Sequence, residues 1–584
     1  LSSGDWNPLV SANLPKRNTS TYTSVQDNFN IDWRIIPALR LQGRFSYTRQ
    51  FDRRDLFKSP ESLDYSTETD PKKKGSYYLV NSRSDRFDGN LTLAYNKTID
   101  KHMLNVGVGS NIMQSETEGE SFTGVGFINP DMIFIGAANA FQENTSPQGT
   151  YDKSRLVGFF TNVNYGYGNR YFLDFSFRSD GSSKFGRNSR FAPFWSLGVA
   201  WNVHNESFWH AHEKNALKLR ASVGSTGTTN FSSTQALTTY LYDFSREYNG
   251  NFGVSLAGYG NPDLKWQTTL AYNVGVDFTF LRGLVVFNGD FYIKNTRSLL
   301  LPVTVAPSTG FIDYVENIGK LRNTGVEARL RFNLIQDAVK DLRWNVTLSA
   351  FHNRSKITQL SNQLETINQY ANDDRANQGT VVYRQFEAGR SQTALMVVRS
   401  GGIDPATGNE IYIKRNGEMT FEYNHNDKIE CGDMKPKIEG NVNTNLNWKG
   451  FNLYMLFKYQ YGGKIYNATL ASKVEGANPL KNADKRVLYD RWKEPGDHAK
   501  FRRIDDTSAP YQTTRLVFDN NLLALQSVSL SYELPRKISQ KMYMERVKLL
   551  LSSTDLFRLS SVKQERGTSY PFARTFSIGL NVTF

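Results

Sequence analysis

The sequence is short of most features that would place a protein quickly. It holds a single cysteine, Cys431, in 584 residues, which excludes an intrachain disulfide and the paired-cysteine zinc patterns. It has no long apolar run. One of the longest, Met132 to Ala138, is seven residues, where a membrane-crossing helix needs roughly 20. Blocks of like charge are also missing. The net charge is +14, yet Lys72-Lys73-Lys74 is the densest basic run, so the excess is scattered over solvated surface. No zinc-finger, RRM-like or basic-helix pattern is present, and no nucleic-acid partner is expected. There is no solenoid-type repeat. No signal peptide is visible, and the opening Leu1-Ser-Ser-Gly reads as the middle of something.

What is abundant is aromatic. Phe, Tyr and Trp number 38, 30 and 9, or 13% of the chain, too many for a disordered polypeptide. Length alone suggests about four domains at roughly 150 residues each, a prior that barrels escape.

Period-2 alternation decides the class. At the C-terminal end Phe576, Ile578, Leu580, Val582 and Phe584 alternate with Thr575, Ser577, Gly579, Asn581 and Thr583. A strand sends successive side chains to opposite faces, so this one is apolar on one side and wet on the other. Leu39, Leu41, Phe45 and Tyr47 oppose Arg40, Gln42, Arg44 and Ser46 in the same way. Val326, Ala328, Leu330 and Phe332 oppose Glu327, Arg329 and Arg331. Strands near 24–34, 38–50, 86–97, 102–114, 153–168, 170–182, 190–203, 215–225, 268–281, 284–297, 319–333, 342–354, 437–448, 450–462, 522–534, 546–557 and 574–584 make about 17, mostly of 10 to 14 residues. A soluble sandwich also alternates, but with shorter strands and less charge on its polar face. Arg, Glu and Asp on the polar face point to an all-β, transmembrane antiparallel β-barrel with a wet lumen.

Short polar turns such as Tyr167-Gly168-Asn169-Arg170 and Trp448-Lys449-Gly450 join some strands. Long segments, roughly 115–152, 226–267, 298–318, 355–436 and 463–521, join others. Short turns at one end and long loops at the other are the outer-membrane pattern, and loops of such length are usually functional. Bacterial single-chain barrels have an even strand number. The odd count and the absent targeting signal make residues 1–584 read as part of a larger barrel.

Several motifs in order resemble the SusC/RagA family of TonB-dependent outer-membrane transporters of Bacteroidota. They are Arg178-Ser-Asp-Gly-Ser-Ser-Lys-Phe-Gly186 with Phe194-Trp-Ser-Leu-Gly-Val-Ala-Trp201, Leu217-Lys-Leu-Arg-Ala-Ser-Val-Gly224 leading to Gly227, and Asn261-Pro-Asp-Leu-Lys-Trp-Gln267 followed by Asn273-Val-Gly-Val-Asp-Phe278. Asn317-Ile-Gly319 with Asn323-Thr-Gly-Val-Glu327, Gly402-Ile-Asp-Pro-Ala-Thr-Gly408, Leu530-Ser-Tyr-Glu-Leu-Pro535 and the stretch from Tyr570-Pro571 to Phe584 continue the series. Each motif alone is weak; their order from about residue 150 onward is specific. Residues 1–149 match in character only.

The resemblance implies a 22-stranded barrel holding an N-terminal plug preceded by a TonB box. Residues 1–584 would then be the C-terminal part of that barrel, with plug, TonB box and first strands absent. It implies active import of a nutrient, oligosaccharide or peptide, through a channel integral to the bacterial outer membrane and surrounded by its lipid. A SusD-like surface lipoprotein would be the lid, and TonB would act through the plug-bearing part. The two-protein assembly could pair as a dimer. Such a channel is not an enzyme and needs no cofactor. The alternatives are a siderophore or cobalamin receptor, which works without a lipoprotein lid, a passive porin, and an outer-membrane barrel enzyme. The long loops and the Gly402-to-Gly408 motif argue against the first, and no nucleophile elbow supports the last.

Candidate site residues follow. Tyr240, Tyr242, Tyr248, Phe252 and Tyr259 in the 226–267 loop could stack on ligand; packing of the loop or of the lipoprotein is the plainer role. Inward Glu327, Arg329 and Arg331 could meet the plug, or simply line a solvated wall. Phe584, a terminal aromatic on the last strand, fits recognition by the outer-membrane assembly machinery. Trp201, Trp266, Trp344, Trp448 and Tyr461 suit interfacial aromatic belts. His204, His210 and His212 lie near Glu206 and Glu213, and a His-x-His pair could ligate a metal; but Asn205-Glu-Ser-Phe-Trp209 resembles the family's periplasmic turn, and no metal is expected. The Asn424–Asp433 loop lacks the EF-hand spacing for calcium.

Overall fold

The computed structural model describes residues 13–584 apart from 144, 146, 212, 229–235, 259, 305–312, 318, 360–386, 478–483, 507–509 and 563–573. Its strands run in sequence as follows. The first four are β1 (Lys16–Ile36), β2 (Leu39–Lys58), β3 (Ser76–Ile99) and β4 (His102–Val125). After the two-residue β5 (Ala140–Phe141) come β6 (Gln148–Tyr167), β7 (Tyr171–Ser182), β8 (Phe191–Asn202) and β9 (Ala216–Thr228). A small hairpin, β10 (Thr239–Tyr248) and β11 (Asn251–Gly258), precedes β12 (Gln267–Phe280) and β13 (Val285–Arg297). Another, β14 (Leu300–Thr304) and β15 (Asp313–Asn317), precedes β16 (Lys320–Asp337) and β17 (Leu342–Gln359). Four short strands follow, β18 (Ala394–Ile403), β19 (Glu410–Ile413), β20 (Met419–Thr420) and β21 (Lys428–Asp433). The last are β22 (Ile438–Trp448), β23 (Phe451–Tyr466), β24 (Val517–Glu533), β25 (Arg546–Ser560) and β26 (Thr575–Thr583). Every segment expected to be a strand is one.

The chain divides into two compact units. One comprises Leu1–Tyr165, Asp174–Trp195 and Thr228–Trp266; the other comprises Gly166–Leu173, Ser196–Gly227 and Gln267–Phe584.

In the first unit, β1 to β4 form an antiparallel meander. Trp33, Leu41, Leu93 and Val108 share one rung. Phe29, Phe45, Gly89 and Ile112 share another. Trp33, Phe29, Leu93, Val108 and Ile112 are exposed (Leu93 is 40% accessible), the reverse of a soluble sheet, where the apolar parity is the buried one. The opposite parity carries Arg40, Gln42, Arg44 and Ser46, with Arg40 paired to Asp32. An exposed apolar face backed by a charged one suits a wall between lipid and water.

The strands are longer than expected. β3 and β4 have 24 residues each, about 80 Å at roughly 3.3 Å per residue, where a tilted crossing takes about 9–11. Beyond the Tyr47–Phe87 rung the apolar parity turns charged. Arg49 pairs with Asp85 at 2.6 Å, Arg83 with Glu118 at 3.0 Å and Lys153 with Glu116 at 2.6 Å. The ladder continues there without a hydropathy period, so alternation ended the expected strands too early. At the far end Phe57, Tyr77, Leu79 and Phe127 form a buried cluster, packed against Ile133 and Ile135. The seven-residue apolar run is the cap on that cluster.

In the second unit, β12, β13, β16, β17, β22, β23, β24, β25 and β26 pair in that order, all antiparallel, with β9 beside β12. Tight turns join neighbours at one end. Lys449 and Gly450 both have positive φ, 46° and 87°, the two-residue hairpin geometry whose twist matches the strands. At the other end the long connections carry structure of their own. Strands β20, β19, β18 and β21 form a four-stranded sheet in that order, in a segment expected to be loop. Residues Ala394 to Val398 of β18 are buried without alternation, the signature of a strand covered on both faces. Leu395, Val397, Tyr466, Ala471 and Leu516 make its core.

Candidate functional site

The polar parity of the second unit concentrates its charge at Arg220. This β9 side chain donates from Nε to Asp277 at 2.8 Å and from Nη1 to Asp290 at 3.1 Å. Its Nη2 reaches the same two carboxylates at 3.1 and 3.2 Å. Asn288 donates to Asp277 and Asn273 to Asp290, so both acids are held in place. Register carries the face onward: Asp290 stands beside Glu327, Asn288 beside Arg329, and Arg329 beside Ser349. All of these except Asn273 line a recess of 460 Å³. Two of the expected wall residues, Glu327 and Arg329, therefore border a built polar site, and neither makes an ion pair with a described residue. The third, Arg331, lies outside the recess and donates to Asn333 at 3.0 Å. Sequence reading missed Arg220, although its place inside the Leu217–Gly224 motif was a signal.

In the first unit, residues 239–258 of the aromatic segment expected as a loop form the β10–β11 hairpin. Tyr240 pairs with Leu256 and Tyr242 with Val254, while Tyr248 faces Asn251 and Phe252 faces Glu247. Tyr240 is 64% accessible, as a stacking platform must be. The side chains of Tyr242, Tyr248 and Phe252 lie outside the described part of the hairpin, and Tyr259 lies outside the described residues altogether.

Beside the hairpin is a latch between two of the quoted motifs. The rings of Phe185 and Trp266 stack with centroids 4.3 Å apart, and Phe194 meets Trp266 edge-on at 5.3 Å. The Trp266 indole donates to the Arg190 carbonyl at 3.2 Å, and the Gly186 amide donates to the Leu264 carbonyl at 3.0 Å. A Cβ on Gly186 would sit 1.9 Å from the Pro262 carbonyl oxygen, so only glycine fits. This corrects the expectation for Trp266. It is 6% accessible and works inside the latch, not in an interfacial belt. Trp344, Trp448 and Tyr461 are exposed, while Trp201 is half-buried and donates to Glu206 at 3.0 Å.

The module around β18 is built on buried charge. Arg515 bridges Glu410 at 2.9 Å and Glu475 at 2.6 Å. Arg502 adds a 3.0 Å bond to Glu475, and the Thr513 hydroxyl donates to Glu410 at 2.6 Å. Arg491 gives its N–H groups to the carbonyls of Val474, Glu475, Val487 and Arg502. Burial pulls the Arg515 pKa down, but the two carboxylates outweigh it and hold the guanidinium above its ordinary value. Burial pushes the Tyr412 hydroxyl up. These ions are paired and hydrogen-bonded, the condition for tolerating charge away from water. The partners lie up to 105 residues apart, so no spacing announces them.

The histidines find partners in the backbone. His204 Nδ1 meets the Leu217 carbonyl at 2.9 Å and His210 Nδ1 the Phe208 carbonyl at 2.7 Å; His212 lies outside the described residues. Glu206 accepts from Tyr171 at 2.6 Å. Among the described residues no group of three His, Cys, Asp or Glu is placed to hold a metal ion. The Asn424–Asp433 segment forms a short turn capped by Asn424 and then β21. Phe584 directly follows β26 and is 87% accessible.

Comparison with known proteins gives these features a setting. The family described as "TonB dependent receptor-like, beta-barrel" matches residues 2–390. TonB-dependent receptor P3 of Formosa agariphila is 25% identical over 99% of this chain and 59% of its own length. TonB-dependent receptor SusC of Bacteroides thetaiotaomicron is 27% identical over 55% of this chain and 32% of its own. The chain thus spans about three fifths of the length of the first of these relatives. Among solved structures, that of the RagAB peptide transporter superposes with a TM-score of 0.85 at 21% identity, covering 99% of this chain and 63% of that one. At that identity the likeness speaks for the fold, an antiparallel β-barrel.

Proposed function

We propose, since this chain belongs to the family of TonB-dependent receptor-like β-barrels and is an outer-membrane protein of SusC/RagA type, that it forms the channel wall of a nutrient importer. The cargo is an oligosaccharide or a peptide, the second being what the RagAB transporter is named for. A SusD-like lipoprotein covers the mouth, and TonB supplies the energy through a plug carried on sequence outside these 584 residues. Glu327 and Arg329, with the Arg220 cluster, form the polar wall against which plug or cargo rests. Tyr240 and its hairpin offer aromatic faces to cargo, and Phe584 serves assembly into the membrane.

The observation that carries this reading is the two-faced wall. Within the second unit, exposed Val274 and Val326 suit lipid, while Arg220, Asp277, Asp290, Glu327 and Arg329 make a hydrophilic path on the other parity. Such a wall has no reaction to perform; it lowers the cost of passage for a solvated cargo.

The test uses the intact transporter in its own cells. Deleting the gene should abolish uptake of one labelled oligosaccharide or peptide pool, and a proton uncoupler should do the same. Mass spectrometry of what co-purifies in mild detergent should find a surface lipoprotein and a plug. Uptake that ignores the uncoupler would make this a passive pore, and purification without a lipoprotein would end the lid reading.

A further inference from the structure

The long hairpins of the first unit carry a feature that import does not use. It lies on the lipid-side parity of β1 to β4, beyond the apolar band. Two successive rungs stand there side by side. One joins Thr21, Arg53, Asn81 and Glu120; the next joins Thr23, Phe51, Arg83 and Glu118. Between them runs a trough of 390 Å³, floored by the rung of Asp52, Ser82 and Gly119.

We propose that this trough binds the saccharide headgroup of a glycolipid in the surrounding outer leaflet. Three observations point to it. The first is chemistry. Phe51 is 49% accessible and offers an apolar face for a sugar ring. Around it stand donors and acceptors suited to hydroxyls. Asn81 and Glu120 make no side-chain hydrogen bond to any described residue, and Arg83 and Arg53 are held upright by Glu118 and Asp55 with further N–H groups to give. Two arginines and three acids line the trough, a slight negative excess that favours neutral hydroxyls over a bare phosphate.

The second is height. The apolar band ends at the Tyr47–Phe87 rung, which Asp27 joins on β1. The trough lies four to six residues further along β1, about 13–20 Å of strand, or about 9–14 Å of vertical rise at a tilt near 45°. That is above the acyl chains and at the level of large sugar headgroups. The third is continuity. Trp33, Leu41, Leu93 and Val108 form an apolar rung on the same face, so a molecule whose chains lie against them brings its headgroup to the trough.

The experiment places the complete transporter in nanodiscs of three kinds: lipopolysaccharide bearing its core sugars, lipid A without core, and phosphatidylglycerol. Native mass spectrometry then reads the lipid that stays bound. The core-bearing form should be retained about fivefold over the other two, and the Phe51→Ala, Asn81→Ala double variant should lose that preference while nutrient uptake is unchanged. Equal retention of lipid A would assign the contact to phosphates and chains and overturn the proposal, as would an unaltered preference in the variant. The lipid comparison on the unmodified protein decides the matter even if the variant fails to assemble.

Discussion

The meander of β1 to β4 and the module around β18 solve opposite problems. The meander is mostly surface: two residues of turn join β1 to β2 and β3 to β4, apolar side chains face outward, and charges pair in the open. Its ion pairs, such as Arg49–Asp85, are half exposed, and its order comes from the ladder itself. The module is all interior. Its central strand is covered on both faces, and Arg515, Glu410 and Glu475 are removed from water. One region spreads a small energy over many rungs, and the other concentrates a large one in few side chains. The lesson is that single substitutions should be forgiven in the first and severe in the second.

That contrast can be tested from the strongest effect down. Arg515→Ala leaves buried Glu410 with only the Thr513 hydroxyl and Glu475 with only Arg502, and should cost about 4 kcal/mol locally; hydrogen exchange should rise across residues 394–403 and stay flat in β22 and β23. Trp266→Ala removes the ring that Phe185 and Phe194 pack on and should cost about 3 kcal/mol, read as proteolytic opening at 260–266. Leu93→Arg puts a charge on the lipid side and should cost about 2 kcal/mol, measured by urea unfolding in detergent or lipid. Arg49→Ala should change the same measurement by less than about 1 kcal/mol; a loss as large as that of Arg515→Ala would break the comparison. The smallest effect is in acid. The Thr407 hydroxyl, then the Ala406 and Thr407 amides, hold the Asp404 carboxyl below its ordinary 3.8. Its contribution is therefore complete above about pH 4 and lost as pH falls through the lowered folded value. Mobility of the 402–408 turn should increase from pH 5 to pH 3 in the natural protein, whereas Asp404→Asn should be mobile at both.

The two regions also differ in how far their sequences could be read. Alternation located each long strand, because one face meeting lipid and the other water writes a period of two into Leu39 to Tyr47 or Phe576 to Phe584. It failed where that asymmetry ends. Beyond Tyr47 both faces of the hairpins meet water, and the strands run on unannounced. In Ala394 to Val398 neither face does, and a buried strand reads as a mere apolar run. Parity placed Glu327 and Arg329 on the polar face, where they border the recess, and Tyr240 lies exposed on its hairpin. Arg220 was hidden because one arginine on a polar face looks like any other until register brings Asp277 and Asp290 beside it. Trp266 looked like a belt residue because its partner Phe185 is supplied by a distant motif.

The unbroken register of β3 against β4, twenty-four rungs from Ser76–Val125 to Ile99–His102, has a kinetic meaning. Every contact in that hairpin can form by zipping away from the turn at Asp100 and Lys101, so its loop-closure entropy is met once and at the shortest length. The module has no such route. Glu410 and Arg515 are separated by 105 residues, and β22 and β23 lie between them. The hairpins can therefore order early and from within themselves, while the buried ion cluster has to wait until the strands between its halves have paired.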